Sequence, residues 1–358
     1  MNESHFEWKS LPVNVLFGQG RRAELKNIVN QDEAVFVIAS TRLANEVENL
    51  KSTLASANSF VHFDKVEQHV PEELINEALA LYEAKKCSHI IAMGGGSAIG
   101  LAKAIALKLS ATITAIPTTY SGSEMTNIWG YSKKGEGKTT GRDNRVMPKT
   151  VIYDSELTIG MPFQLAAKSA LNALAHLMEG VYAHDGNPIT YNNSLYGIEC
   201  IMNGLRILIS DGKLASDSND KLFLGAFLAG KSLCEVSMSL HHKTAHVLGG
   251  SFGLEHALVH SIMQAYVLEY QWPYLNEKTK GDFREALNHS YPPLALHELV
   301  KQLGIPSSLT EIGFKLEDIE VAVEVMLKNP YANPAPLSRE GLVVLLANAS
   351  KGVLKGED

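Results

Sequence analysis

"HIIAMGGGSAIGLAKAIAL", His89–Leu107, decides the fold class. Its first residues form an apolar run of strand length. Three glycines follow, and then alanine, isoleucine and leucine recur at helical spacing. A strand that is apolar throughout belongs in a sheet covered on both faces, which is the habit of parallel sheets. Gly94, Gly95 and Gly96 let the chain turn sharply and let a ligand reach the backbone with no Cβ in the way. The N–H groups at the start of the following helix, which Ser97 is placed to cap, would attract a pyrophosphate. The spacing is G-G-G-S-x-x-G and not G-x-G-x-x-G, so taken alone the turn also fits a tight strand-to-helix connection with no ligand.

The neighbouring segments repeat this texture. "AVFVIAS" (34–40), "SFVHFDKV" (59–66) and "TITAIPTT" (112–119) read as strands. "RLANEVENLKSTLAS" (42–56) and "PEELINEALALYEAKK" (71–86) read as helices, the second with proline in its first turn and acids at the favourable end of the dipole. Alternation of this kind implies an α/β domain with a parallel sheet. From about residue 156 the pattern changes: "FQLAAKSALNALAHLMEGVYA", "NSLYGIECIMNGLRILIS" and "LSREGLVVLLANASKGV" carry apolar residues at helical spacing, with no strand-like alternation. The expected organisation is an α/β dinucleotide-binding domain over 1–155 and an all-α domain over 156–358. The polar, basic stretch 132–149 reads as a hairpin or mobile loop between the halves.

Bulk properties bound the function. At 358 residues the chain exceeds one ordinary core. Its 45% hydrophobic and 20% charged content is that of a soluble globular protein. No apolar run reaches membrane-spanning length, and the N-terminus carries no secretory pattern. Cys87, Cys200 and Cys234 form neither a metal motif nor a disulfide framework, which fits a reducing cytoplasm. The net charge of −7 argues against nucleic acid as a partner, and an anionic substrate would need a local positive pocket.

Two further stretches carry candidate chemistry. "AIPTTYSGSEMT" (115–126) follows a strand, so Thr118, Thr119, Ser121 and Ser123 should gather at the carboxyl edge of the sheet beside the glycine turn. There they can donate to a phosphate or a nicotinamide amide. "SLHHKTAHVLGGSFGLEHALVH", Ser239–His260, holds five of the thirteen histidines. His242 and His246 share a helix face, as do His256 and His260. The spacing suits a metal site, an acid–base site, or two helices that merely carry histidine.

These stretches occur together, in order, in the iron-containing alcohol dehydrogenase superfamily, which the chain resembles over nearly its whole length. Within it the chain is most similar to the maleylacetate reductases, through "MGGGSAIGLAKAIAL", "AIPTTYSGSEMT", "NALAHLMEG", "LHHKTAHVLGG" and "NPYANPAPLSREG". The resemblance implies a nucleotide-binding domain, a helical domain and an active site in the cleft between them. It implies cofactor contacts from Gly94, Gly95, Gly96, Ser97, Thr118, Thr119 and Ser121. Ser40 stands where the family often has a ribose-binding Asp, so both NADH and NADPH are expected to serve. Family members hold a divalent metal with an Asp and three His. Here those positions are Asn172, His176, His242 and His256, and the only anion among them is missing. The expectation is therefore an enzyme that requires no metal, these four positions being vestigial.

Under this resemblance the reaction is reduction of the C=C bond of maleylacetate to 3-oxoadipate. His242 and His246 are the expected acid–base pair and Lys243 the nearest cation. His176, His256, Asn172 and, further off, Arg145 would contact the small dicarboxylate substrate. His241 and His260 read as bystanders. A homodimer is the family expectation. The chain departs from the family at Ala335, which replaces an arginine in "NPAP". A metal-dependent alcohol or polyol dehydrogenase and a dehydroquinate synthase-like lyase are the competing readings.

Overall fold

The apolar runs become the middle of a sheet. The computed structural model describes residues 5–133, 137–329 and 331–356. The strands are β1 (Asn14–Phe17), β2 (Ala34–Ile38), β3 (Ser59–Phe63), β4 (His89–Gly94), β5 (Thr112–Pro117), β6 (Ile128–Lys133), β7 (Gly137–Arg142) and β8 (Thr150–Tyr153). Six of them form a parallel sheet in the order β1-β8-β5-β4-β2-β3. Every residue of β2 and β4 is buried, as the unbroken apolar sequences require. The helices α1 (Leu25–Ile28), α2 (Ala44–Thr53), α3 (Glu72–Ala84) and α4 (Gly96–Leu109) accompany the sheet. Leu25, Val47 and Leu50 pack with Val35, Val37, Ile91 and Met93 in one core cluster.

The strand order reverses beside β2. β3 lies on one side of it and β4 on the other, with Ile38 opposite Ala92. The carboxyl ends of β2 and β4 therefore flank the crevice where open α/β sheets take ligands. Of the two readings of 132–149, the hairpin applies: β6 and β7 pair antiparallel over 128–142. Its tip, residues 134–136, lies outside the described residues, as does Pro330 of the 329–341 phrase.

The α/β unit comprises residues 10–160, and the helical unit residues 161–356 together with 5–9. The second unit contains α5 (Phe163–Val181), α6 (Pro188–Asp211), α7 (Ser216–Glu235), α8 (Leu240–Phe252), α9 (His256–Gln271), α10 (Glu277–Leu287), α11 (Pro292–Gln302), α12 (Ile319–Leu327) and α13 (Arg339–Lys351). α5, α6 and α7 pack on one another, and α9 touches α5, α8, α11 and α13. α5 and α6 approach closely because Gly197 has no side chain: a Cβ there would lie 2.5 Å from the side chain of Leu177. Among the described residues no single helix is long and apolar enough to cross a membrane.

Candidate active site

In the α/β unit the glycine turn and the Ser/Thr segment meet as expected from adjacent strands. Gly94 pairs with Pro117, and the Thr118 N–H donates to the Gly94 carbonyl at 3.0 Å. Ser97 does not cap α4. The N-cap is Gly95, and among the described residues no side-chain cap bonds the helix start, which suits an anion there. A Cβ on Gly95 would come within 3.0 Å of the Thr119 side chain, and one on Gly96 would face Ser121 Oγ at 3.8 Å. Ser121 Oγ is buried and has no hydrogen-bond partner among the described residues. An unsatisfied hydroxyl beside a side-chain-free turn at a helix N-terminus suits a dinucleotide phosphate. Ser40 follows β2 at the same carboxyl edge.

The loop that carries these groups is braced from below. Lys103, fully buried on α4, donates from Nζ to the carbonyl oxygens of Ser123 (2.6 Å), Thr126 (2.7 Å) and Ile128 (2.9 Å) and to Thr126 Oγ1 (2.9 Å). Glu124 is buried in the same loop and accepts from the Tyr153 hydroxyl at 2.7 Å. Burial pushes its carboxyl up to about 7. By spacing, Lys103 is simply part of a helix, and only the fold shows what it holds.

In the helical unit, α5 carries Asn172, His176 and Glu179 at intervals of four and three, on one face. Glu179 is wholly buried at the N-terminus of α8. It accepts from Ser239 N–H (3.1 Å), Ser239 Oγ (2.8 Å), His241 N–H (2.7 Å) and His242 Nδ1 (2.5 Å). Positive dipole and unpaired amides make a helix start a natural seat for a carboxylate. The other His242 nitrogen, Nε2, lies 2.6 Å from His176 Nδ1. A second chain runs beside this one: His241 Nε2 is 2.9 Å from His260 Nδ1, and His260 Nε2 is 2.9 Å from His256 Nε2. The His242 and His260 ring centres are 5.0 Å apart.

The glycine break between the histidine pairs has a local cause. Gly253, at φ 69°, ends α8 in the left-handed conformation and turns the chain into α9. A side chain on Gly249 would press on His256 Nδ1 at 3.3 Å, so glycine leaves room for that ring. His246 stacks on His256 with ring centres 5.8 Å apart, and both are exposed, whereas His176, His241, His242 and His260 are buried. Burial pushes His176, His242 and His260 well below the ordinary imidazole value, and neighbouring imidazoles add to the shift. It lowers His241 to about 3. Burial therefore favours the neutral ring at all four positions.

His241 and His260, read as bystanders, are integral to the network. Lys243 is half-buried, its Nζ 5.9 Å from the Tyr331 ring centre. Arg145 belongs to the α/β unit and its charge is already answered: Asp143 takes its Nη2 at 2.7 Å and its Nε at 3.1 Å. Ala335 is buried, and its N–H donates to Gln271. Asn333 bonds the same glutamine and receives the Leu240 N–H, so this segment braces the start of α8.

Residues 12–155 match the iron-containing alcohol dehydrogenase family and residues 166–350 match its C-terminal domain. The chain belongs to the iron-containing alcohol dehydrogenase family. It is 37% identical to a maleylacetate reductase of Sphingobium indicum over 97% of this chain and 98% of that one. It is 40% identical to a maleylacetate reductase of Burkholderia cepacia over 95% and 96%. The solved maleylacetate reductase of Agrobacterium tumefaciens superimposes with a TM-score of 0.92 at 32% identity, covering 98% of this chain and 99% of that one. These likenesses favour the reductase reading over the alcohol dehydrogenase and lyase alternatives.

The family match overturns one expectation. An iron-containing family implies a metal, so the reading that none is required is corrected. The missing aspartate at position 172 does not outweigh the three retained imidazoles. Their chemistry fits a divalent ion: His176 and His242 are held neutral by burial, and a buried carboxylate fixes the outer nitrogen of His242, the usual support for a metal-binding imidazole. As they stand the rings hydrogen-bond to one another, and among the described residues no three His, Cys, Asp or Glu side chains are spaced to grip an ion. Asn172, His176, His242 and His256 are the residues that would hold it.

Sequence reasoning missed Glu179, although it lies within the quoted "NALAHLMEG". The available signal was its spacing, three residues after His176 on the same face of an apolar helix.

Proposed function

We propose that this enzyme reduces the C=C bond of maleylacetate to give 3-oxoadipate, with NADH or NADPH as reductant. The observation that carries the reading is end-to-end similarity to maleylacetate reductases in a chain that retains the histidine cluster. A nicotinamide cofactor held at the glycine turn would supply hydride to the alkene carbon β to the ketone. Negative charge then spreads onto the ketone oxygen, and a proton is added at the α carbon. A divalent metal held at Asn172, His176, His242 and His256 would supply a Lewis acid.

The chain's own groups divide this work by burial. His242, neutral and oriented, contributes a fixed nitrogen and not a mobile proton. His246, exposed one helical turn away, is the group that exchanges a proton with solvent and delivers it. Lys243 and His256 offer positive or donating groups to the substrate carboxylates. Ser40, at the end of β2, removes the acid that would repel a 2′-phosphate, so NADPH is accepted beside NADH. The free thiols of Cys87, Cys200 and Cys234 suit a reducing cytoplasm.

The test is steady-state consumption of NADH and NADPH with maleylacetate, compared with a panel of primary alcohols and their aldehydes. The expected result is turnover of maleylacetate with a kcat/KM well above that for any aldehyde. Turnover of aldehydes without turnover of maleylacetate would overturn the reading.

A further inference from the structure

We propose that Glu124 takes up a proton as the dinucleotide binds, its neutral carboxyl being the form that the cofactor loop needs. This rests on the reading that a nicotinamide dinucleotide sits at the glycine turn. Glu124 lies in the short 3-10 turn Ser123–Met125, three residues after Ser121 in the segment that faces the glycines. Its side chain is fully buried. Oε1 accepts from the Tyr153 hydroxyl at 2.7 Å. Oε2 is also buried and has no hydrogen-bond partner among the described residues. A carboxylate taken out of water needs several donors, and one phenol together with the residue's own N–H replaces only part of that hydration.

The titratable groups that act on Glu124 are Tyr153 on β8 and Lys103 on α4, and both favour its ionised form. Lys103 acts from a position fixed by other partners, because its ammonium holds the carbonyl oxygens of Ser123, Thr126 and Ile128. Burial outweighs both and pushes the carboxyl up to about 7. The dinucleotide brings negative phosphate to the same loop, where Ser121 Oγ is buried and has no hydrogen-bond partner among the described residues. Like charges withdrawn from water repel with little screening. A neutral Glu124 removes that repulsion. An ionised one would also compete with the loop carbonyls for the Lys103 ammonium. The coupling is reciprocal: bound dinucleotide strengthens the hold of Glu124 on its proton, and loss of the proton weakens the dinucleotide. Affinity is therefore present below about pH 7 and lost as pH rises through it.

The experiment is fluorescence titration of the full-length enzyme with NADH, without maleylacetate, from about pH 6 to about pH 8. At the upper limit roughly one-tenth of the molecules keep the Glu124 proton, so Kd should rise by up to about tenfold. Glu124→Gln, a permanent mimic of the neutral acid, should bind NADH with a flatter pH profile. A wild-type rise no larger than that of Glu124→Gln would overturn the proposal. Tyr153→Phe deletes a donor to the carboxylate and should move the rise to higher pH; a rise left in place or moved lower would contradict it. Calorimetry of NADH binding to the wild type at about pH 7, in two buffers of different ionisation enthalpy, should show net proton uptake. No uptake would overturn the proposal without any variant being made. Absence of NADH binding at every pH would overturn the cofactor reading as well, whereas proton-linked binding without turnover of maleylacetate would overturn only the proposed substrate.

Discussion

The glycine turn of the α/β unit and the histidine cluster of the helical unit are built on opposite plans. The turn works by removing side chains. Gly95 and Gly96 clear the helix start, and Ser121 Oγ has no hydrogen-bond partner among the described residues. The cluster works by crowding them together: four imidazoles are buried and hydrogen-bonded to one another. A backbone-built site should fail by losing affinity, because an added Cβ obstructs the ligand. A side-chain-built site should fail by losing chemistry, because the ring that acts is gone.

Substitutions on each side can break that contrast. The largest effect expected is for His242→Ala, which takes away a proposed metal ligand and should lower kcat with maleylacetate by about 10²–10⁴-fold while KM for NADH changes little. Steady-state kinetics decide this, and a pure KM effect would mean the two sites are not separate in function. Asn172→Asp restores the family's anionic ligand beside His176 and should tighten Fe²⁺ binding by roughly tenfold or more, measured by titration of the chelated enzyme. Gly95→Ala should show the converse pattern to His242→Ala. With its Cβ 3.0 Å from Thr119, it should raise KM for NADH about tenfold, or about 1.4 kcal/mol, and spare kcat.

The remaining effect concerns stability. Glu124 titrates at about 7 in the folded chain and at its ordinary 4.5 when unfolded. Between those values the folded form keeps a proton that the unfolded form releases. Stability therefore falls as pH rises through that window and is flat above it. Glu124→Gln mimics the neutral acid and should remove this slope, read as denaturant midpoints at about pH 5 and about pH 8.

The two plans also differ in how legible they are. β2, β4 and β5 could be read because a strand buried on both faces is apolar throughout. β1 and β8 could not: each is four residues long, and β1 is partly exposed. The glycine turn could be read because glycine has a backbone meaning at a strand end. The cluster was only half visible. His242 and His246 show their shared face through periodicity, but His241 lies about 100° away around the helix and looks like an outward residue. It is buried because α8 is packed by α5, α9 and α12 together, which no period reveals. Glu179 and Lys103 were hidden for a related reason. A buried charge is recognised by its partners, and here those partners lie on segments remote in sequence.

The central claim is that the enzyme reduces a conjugated alkene and not a carbonyl. The most direct measurement follows deuterium from a nicotinamide deuterated at its transferable position into the product formed from maleylacetate. The account predicts 3-oxoadipate with the label on the carbon β to the ketone. Label on a newly formed alcohol carbon, with the double bond intact, would contradict it.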